Sequence, residues 1–204
     1  NILAPKLLNK NYPKNYIEIE DFGNQTVFKL LKKKSINKLE IFKKVIKLLC
    51  KIQLIKQRQI KDFKKKNYKI PTYQPKILLA ETKLFLDWYI SKNLRKSKQF
   101  IFKKKFIKII KNLIKKIRLK NDIFVHRDFH VSNLMMVNNK IGIIDSQDAL
   151  IGNKAYDLAS LIDDVRFNTS VDFKKKIFNF YLRSQKKLNK KFFKNDFEII
   201  SVIR

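Results

Sequence analysis

Three polar side chains stand at the ends of short apolar runs in the middle of the chain. Asp128 follows the run at residues 123–125, Asn133 precedes the run at 134–137, and Asp145 follows the run at 141–144. Short apolar runs bounded by turn residues predict buried strands. Asn138 and Asn139 lie between the second and third runs and predict a tight hairpin, because Asn tolerates the positive φ of such turns. The sequence therefore predicts that Asp128, Asn133 and Asp145 share one small volume.

The spacing of these three residues suits phosphoryl transfer. Asn133 follows Asp128 by five positions, and Asp145 follows Asn133 by twelve. The reaction needs a carboxylate to orient the attacking hydroxyl and accept its proton, a role that we assign to Asp128. It also needs oxygen ligands for the Mg²⁺ that bridges the phosphates, and one or two from the protein suffice, here Asn133 and Asp145. The plainer alternative is that these residues belong to an ordinary turn.

The text around these residues resembles a known superfamily. The pattern H-x-D-x-x-x-x-N, followed by an Asp at a strand end, resembles the catalytic and metal loops of protein-kinase-like enzymes. Ser146-Gln147 stand where protein kinases have Phe-Gly. The longer stretches H-R-D-F-H-x-x-N-L-M and I-D-x-Q-D-A-x-x-G-x-x-x-Y-D-L-A-S-L resemble the aminoglycoside phosphotransferase superfamily. Within it, the resemblance is strongest to the bacterial kinases that phosphorylate N-acetylmuramate and N-acetylglucosamine at the anomeric hydroxyl during cell-wall recycling.

This resemblance implies an α+β fold, namely the large C-terminal lobe of a protein-kinase-like enzyme. The lobe is mainly helical with short catalytic-loop strands, and most of the N-terminal lobe is missing. Residues 1–31 would form the segment between the lobes with remnant strands, and residues 32–204 the large lobe, cut at both ends. The resemblance also implies ATP and Mg²⁺ as cofactors and a small-molecule sugar as substrate. It leaves open whether this chain is active by itself.

Further site residues follow from the same resemblance. The backbone at Ile19, Glu20 and Asp21 is expected to meet the adenine base; a plain edge strand is the alternative. Glu81, in the run E-T-K-L-F-L-D-W-Y, is expected to touch the sugar, or else to pair with Lys at the surface. By the same resemblance, Gln147 and Asp148 are expected to bind sugar hydroxyls. His126 and Asp157 are expected to support the catalytic loop. The simpler alternative for Asp157 is that a carboxylate in the first turn of a helix interacts favourably with the helix dipole.

The composition is strongly basic but argues against a specific nucleic-acid partner. The chain of 204 residues has 48 Lys and Arg against 17 Asp and Glu, a formal net charge of +31. Such a surplus invites a polyanion partner. However, only seven of the 48 are Arg, the residue whose planar fork suits base and phosphate contacts. Residues 123–166 contain four basic residues and six Asp, a net of −2. We therefore interpret the Lys surplus as solvated helix faces.

Cysteine usage and hydropathy indicate a cytoplasmic protein. Cys50 is the single cysteine, so no internal disulfide can form. No apolar run approaches the ~18 residues that a membrane span requires. The oligomeric state is not predicted.

Local patterns predict a series of helices. Ser35 is expected to cap the first, which buries a stripe from Leu39 to Ile52, and Ser97 is expected to cap another. Residues 77–90 predict a helix in which Trp88 belongs to the core, and residues 61–74 predict a loop. Helices are also predicted from Tyr156 and within residues 171–204, with Asp163 and Asp164 in a solvated helix end.

Together these observations predict an ATP- and Mg²⁺-dependent phosphotransferase with an alcohol acceptor. The resemblance favours the anomeric hydroxyl of an N-acetylated amino sugar. Other alcohols, such as an aminoglycoside, choline or homoserine, fit the same chemistry. A basic binding protein or a scaffold without catalysis is the remaining alternative.

Overall fold

The computed structural model describes residues 1–62 and 64–204 of the chain. Short antiparallel strand pairs alternate with helices along it. Within the described residues the strands are β1 Leu7–Asn11, β2 Tyr16–Ile19, β3 Gln59–Lys61, β4 Asn67–Lys69, β5 Asn121–Val125, β6 Leu134–Val137, β7 Lys140–Ile143 and β8 Leu150–Asn153. The α-helices are α1 Val27–Leu31, α2 Lys38–Ile52, α3 Pro75–Leu84, α4 Ser91–Asn93, α5 Lys96–Lys115, α6 Tyr156–Ile162, α7 Val171–Arg183 and α8 Lys190–Ile203. The mixture confirms the predicted combination of helices and strands in one fold.

The hairpin of β6 and β7 lies at the centre of the predicted catalytic stretch. Its turn is formed by Asn138 and Asn139, with φ of 47° and 60°. Both values lie in the left-handed region, which Asn tolerates better than most residues. The hairpin also contacts the beginning of the chain, because Leu3 bridges to Gly142 and Thr26 bridges to Met135. Residues far apart in sequence are thereby brought to the same small sheet.

A second strand pair frames the same region. Strand β5 pairs antiparallel with β8, and Val125 lies opposite Leu150. The chain before α3 adds to this pair, since the N–H of Tyr73 donates to the carbonyl of Ile151 at 2.7 Å. The residues between β5 and β6 and between β7 and β8 thus leave the ends of anchored strands.

The helical core surrounds α2. Phe42, Val45 and Leu49 are at most 2% exposed, because the apolar stripe of α2 faces α7. Tyr181 of α7 is fully buried, and its hydroxyl donates to Oε1 of Gln53 at 2.7 Å. Burial of aliphatic side chains stabilises such packing by roughly 1.5–3 kcal/mol each. The lysines of the opposite face stay in water, as the sequence predicted.

A buried carboxylate connects α8 to the end of the α5 segment. Asp196 is fully buried and accepts hydrogen bonds from the backbone N–H groups of Arg118 and Leu119, both at 2.8 Å. Nδ2 of Asn153 donates to the same carboxylate at 2.8 Å. Each oxygen has a hydrogen-bond donor, so the buried carboxyl group is tolerated in the interior. Asp196 is therefore a structural group, distant in sequence from the predicted catalytic stretch.

Several local predictions were wrong. Helix α2 is capped by Asn37 and not by Ser35, since Oδ1 of Asn37 accepts from the N–H of Glu40 at 3.3 Å. Helix α5 begins after Arg95, which makes no side-chain cap bond, so Ser97 is not the cap. The predicted loop at residues 61–74 contains β4, which forms a hairpin with β3.

The predicted helix at residues 77–90 is present, but its second half is a π-helix. Helix α3 ends at Leu84 and continues as a π-helix over Phe85–Ile90. The wider turn places Trp88 at the surface, where it is 68% exposed. Trp88 is therefore not a core residue, and the prediction for this side chain was wrong.

Among the described residues, no helix is both long enough and apolar enough to cross a membrane.

Candidate functional site

The loop between β5 and β6 is anchored from below by Asp157. This side chain in the first turn of α6 is 1% exposed. Its Oδ2 accepts from the backbone N–H of His126 at 2.8 Å, and its Oδ1 accepts from that of Arg127 at 3.1 Å. Arg127 has a φ of 74°, a left-handed conformation that is unusual for a non-glycine residue. Because the two N–H bonds fix this conformation, Asp157 determines where the next residue, Asp128, is presented.

Burial also determines the pKa of Asp157. Removal from water raises the pKa of this carboxyl from its ordinary 3.8 to about 7, whereas the two donated backbone N–H bonds oppose the shift. The group that holds the loop therefore titrates near neutral pH.

His126 connects the loop between β5 and β6 to the residues after β7. It is 1% exposed, and its Nε2 lies 3.1 Å from the carbonyl oxygen of Ile144. Burial lowers the pKa of His126. The ring is consequently neutral at pH 7, and the nitrogen facing a carbonyl must carry the proton. His126 thus ties the loop between β5 and β6 to Ile144, the residue that precedes Asp145.

Asn133 and Asp145 lie side by side. Nδ2 of Asn133 is 3.3 Å from Oδ2 of Asp145 and 3.2 Å from the backbone oxygen of Asp128. Asp145 has a φ of 68°, so the chain turns sharply after β7. Gln147 lies against the same carboxylate, donating from Nε2 to Oδ1 at 2.7 Å. The two predicted metal ligands are therefore brought together, with Gln147 as a neighbour of Asp145.

The chemistry of this pair suits Mg²⁺ better than a transition metal. Among the described residues, no cluster of three or more His, Cys, Asp or Glu could hold a metal ion by itself. A carboxylate and an amide can supply two hard oxygen donors, and Mg²⁺ commonly takes one or two from protein and the rest from phosphates and water. Asn133 and Asp145 fit that pattern.

Asp128 opens onto a cleft of about 430 Å³. Glu81 of α3 and Arg127 line the same cleft, and Nη2 of Arg127 donates to Oε1 of Glu81 at 2.6 Å. The hydroxyl of Tyr73 also donates to Glu81. Asn133 and Asp145 are not among the cleft residues. The site thus has two sides, with Asp128 and Glu81 on one and the Asn133–Asp145 pair on the other.

The remaining predicted substrate residues occupy less central positions. Asp148 lies at the border, with Oδ1 at 4.0 Å from Nη1 of Arg127 and its side chain 59% exposed. Gln147 is exposed and is occupied with Asp145, as described above. Of the three residues predicted to bind substrate, only Glu81 lines the cleft.

The predicted nucleotide segment runs beside the hairpin of β6 and β7. Ile19 ends β2, the carboxylate of Glu20 accepts from the N–H of Lys6 at 3.3 Å, and Oδ1 of Asp21 accepts from the N–H of Gly23 at 2.7 Å. Phe22, the next residue, packs on Gly142, where an added Cβ would lie 2.8 Å from its ring. The segment therefore lies next to β7, the strand that leads to Asp145.

The predicted solvated helix end at Asp163 and Asp164 was wrong for Asp164. Both residues line the cleft with Asp128, but Asp164 is 6% exposed, whereas Asp163 ends α6 as its C-cap with its side chain 34% exposed. Their environment depends on α8, which packs on α6. Such long-range packing leaves no mark in the local pattern of charges.

Arg127, Arg166 and Arg204 were missed as site residues, although all three line the cleft. The available signal was the rarity of arginine, since the chain has only seven. In a chain whose surface is filled with lysine, an arginine indicates a position where the guanidinium itself is needed.

Most of this chain matches a known protein family. The model of the phosphotransferase enzyme family APH matches residues 27–189, which include α1 to α7 and the whole catalytic stretch. The chain belongs to the APH phosphotransferase family. The superfamily predicted from the sequence motifs is thereby confirmed.

Curated relatives of this APH chain include two bacterial enzymes with the same name. The N-acetylmuramate/N-acetylglucosamine kinase of Neisseria meningitidis serogroup B is 35% identical over 95 residues, which cover 47% of this chain and 28% of that protein. The enzyme of that name from Pseudomonas aeruginosa is 26% identical over 161 residues, covering 79% of this chain and 44% of that protein. The matched stretch thus spans less than half the length of either relative.

Solved structures agree with the fold of the family. The ADP-bound crystal structure of the aminoglycoside phosphotransferase APH(2'')-Ib has a TM-score of 0.59 with this chain at 15% identity, covering 97% of this chain and 64% of that one. At this identity the likeness concerns the fold alone.

Proposed function

We propose that the protein is an ATP- and Mg²⁺-dependent phosphotransferase whose acceptor is the anomeric hydroxyl of an N-acetylated amino sugar. The observation that carries the proposal is the pairing of Asn133 and Asp145 at 3.3 Å, beside a loop that presents Asp128 to a cleft. The names of the two relatives support the sugar, and the ADP in the structural neighbour supports the nucleotide.

In this proposal the chain is mainly the large lobe of a kinase-like enzyme. Residues 1–31 form the segment between lobes, and residues 32–204 form the helical lobe. The adenine edge is bound by the backbone at Ile19, Glu20 and Asp21, which is supported by the packing of Phe22 on Gly142 next to the metal side of the site. A cytoplasmic place in peptidoglycan recycling follows from this function, since ATP and a released cell-wall sugar meet there.

The proposed reaction is in-line transfer of the γ-phosphoryl group to the sugar. Asp128 orients the acceptor hydroxyl and accepts its proton during transfer. Asn133 and Asp145 hold Mg²⁺, which neutralises the charge of the phosphate oxygens when it is bound. Glu81, fixed by Arg127 and Tyr73, faces the sugar across the cleft. Gln147 and Asp148 bind sugar hydroxyls in this scheme; Gln147 also holds the carboxylate of Asp145 in place.

The test is an acceptor panel with ATP, Mg²⁺ and the full-length protein. The panel contains N-acetylmuramate, N-acetylglucosamine, glucose, kanamycin, choline and homoserine, and phosphorus NMR identifies an anomeric phosphate in the product. We expect turnover of the two amino sugars. Preference for kanamycin, choline or homoserine would contradict the acceptor, and no Mg²⁺-dependent transfer to any of them would contradict the reaction.

A further inference from the structure

Four aromatic rings form a continuous row where the π-helix meets α5. Within α5, Phe102 stacks on Phe106 with ring centroids 6.1 Å apart. Phe106 lies against Phe85 of the π-helix at 5.4 Å, and Phe85 stacks on Tyr89 at 5.4 Å. Phe106 is half-buried, whereas the other three rings are exposed. The row is therefore one apolar surface shared by two elements and not a set of scattered side chains.

Further exposed apolar side chains extend this row. Leu84 and Trp88 are exposed and lie one helical turn apart at the junction of α3 and the π-helix. On α5, Ile109 is exposed and follows Phe102 by seven positions, which places the two on the same face of the helix. We call this surface the aromatic face; its six exposed residues are Leu84, Phe85, Trp88, Tyr89, Phe102 and Ile109. A contiguous group of exposed large apolar residues indicates an interaction site.

The chain that forms most of the aromatic face is strongly basic. Residues 88–121 contain 13 Lys and Arg and no Asp or Glu, and eleven of the 13 are Lys. Lys98 and Lys105 are exposed and lie four positions before and three positions after Phe102, so they flank this ring on α5. The ammonium group of Lys92 lies 5.6 Å from the ring centre of Trp88. The aromatic face is thus bordered by cations on both of its elements.

These charges select the kind of partner. A second copy of the chain would bring one basic surface against another, and like charges oppose that contact. Single-stranded nucleic acid binds to rings that are free to stack on bases, whereas Phe85 and Tyr89 are stacked on each other, and Leu84 and Ile109 offer no ring at all. The surface of an anionic bilayer takes both groups, because aromatic rings enter the headgroup region while Lys side chains reach the lipid phosphates.

We propose that the aromatic face is a peripheral docking surface for an anionic lipid bilayer. The rings of Trp88 and Tyr89 enter the headgroup region, and the lysines beside the face bind the negative charge of the lipids. The contact lies on the bilayer and does not cross it. None of the six face residues lines the cleft of Asp128, so docking leaves the cleft open and does not depend on the proposed function.

The test is co-sedimentation of the full-length protein with sucrose-loaded vesicles. One set of vesicles consists of phosphatidylcholine alone, and the other contains about one-third phosphatidylglycerol. We expect binding to the anionic vesicles to be at least about tenfold stronger than to the neutral ones. Raising NaCl from about 50 to about 500 mM should weaken the anionic binding about tenfold or more, because salt screens the attraction.

Two double substitutions separate the contribution of the rings from that of the charges. Trp88→Ser combined with Tyr89→Ser should weaken binding to anionic vesicles about tenfold at either salt concentration, because apolar area is lost from the contact. Lys98→Gln combined with Lys105→Gln should weaken it about tenfold at low salt and much less at high salt.

Lys175→Gln combined with Lys176→Gln is the matched control. It removes the same number of exposed charges from α7, which packs on α2 and α6. Because the whole chain is basic, this control separates docking at the aromatic face from attraction by net charge, and it should change binding less than twofold. All the altered residues are exposed, so circular dichroism and thermal midpoints should match those of the unaltered protein.

Selective loss of anionic-vesicle binding in the two face variants supports the docking surface. Absence of binding, equal binding to neutral and anionic vesicles, or equal loss in the α7 control overturns it. Binding of single-stranded RNA in preference to vesicles, lost in the same variants, would assign the face to nucleic acid instead. A dimer in light scattering that Trp88→Ser with Tyr89→Ser abolishes would assign it to a second copy. Both of these results contradict the proposal, and neither bears on the acceptor panel.

Discussion

At the scale of single residues, replacing Asp128 by Asn and replacing Asp145 by Asn should have different effects on turnover and on nucleotide binding. Asp145→Asn should abolish Mg²⁺-dependent turnover and weaken Mg-nucleotide binding, because it removes the charged partner of the metal. Asp128→Asn should lower kcat by about 10²–10⁴ with nucleotide affinity nearly intact, because accepting a proton matters only during transfer. Calorimetry with a non-hydrolysable ATP analogue and steady-state kinetics measure the two effects. Equal loss of nucleotide affinity in both variants would contradict this division of roles.

The contribution of Asp157 to the free energy of unfolding should decrease as the pH rises. Burial raises its pKa from 3.8 to about 7, so the folded protein binds this proton more tightly than the unfolded chain. The stabilisation is fully present below pH 3.8 and is lost as the pH rises through about 7. The difference in unfolding free energy between the unaltered protein and Asp157→Asn should therefore shrink from pH 5 to pH 8 in urea titrations. A difference that stays constant from pH 5 to pH 8 would show that Asp157 is already ionised in the folded protein throughout this range.

At the scale of elements, Gly142 of β7 packs against Phe22, the residue that follows the proposed nucleotide segment. A Cβ at this position would lie 2.8 Å from the ring of Phe22 and 3.4 Å from the side chain of Leu3. Gly142→Ala should therefore displace Phe22 and raise KM for ATP several-fold, while KM for the acceptor stays constant. Adding Phe22→Leu should restore part of the affinity by making room. An unchanged KM for ATP in Gly142→Ala would show that this segment does not bind the nucleotide.

The elements also show what could and could not be predicted from the sequence. The turn at Asn138 and Asn139 was predictable because its signal is local, and so was the buried stripe of α2. The burial of Asp164 was not, because the cleft that it lines also includes Ser201 of α8 and the following Arg204, which are far away in sequence. Likewise, the left-handed backbone of Arg127 is imposed by Asp157, thirty positions away. Local patterns predict the reacting groups of the proposed site, but tertiary contacts decide which side chains surround them.

At the scale of the whole molecule, the charge imbalance should weaken the fold at low salt. Lys and Arg outnumber Asp and Glu by 48 to 17, so like charges repel across most of the surface. Raising NaCl from 50 to 500 mM screens this repulsion and should add about 1 kcal/mol, or about 2–4 °C in thermal midpoint for a domain of this size. Differential scanning calorimetry measures the shift, with glucose of equal osmolality as the control. A midpoint that falls with salt would mean that attractive ion pairs dominate.

The π-helix at Phe85–Ile90 has a consequence for spectroscopy. Trp88 is the only tryptophan of the chain and is 68% exposed. Fluorescence excited at the long-wavelength edge of the tryptophan absorption band therefore comes from this one indole. Its emission is already that of a hydrated ring and will change little when the core melts; circular dichroism is the better monitor of unfolding. Because α3 runs directly from Glu81 into this turn, iodide quenching of the same indole can report whether the helix shifts as the cleft fills.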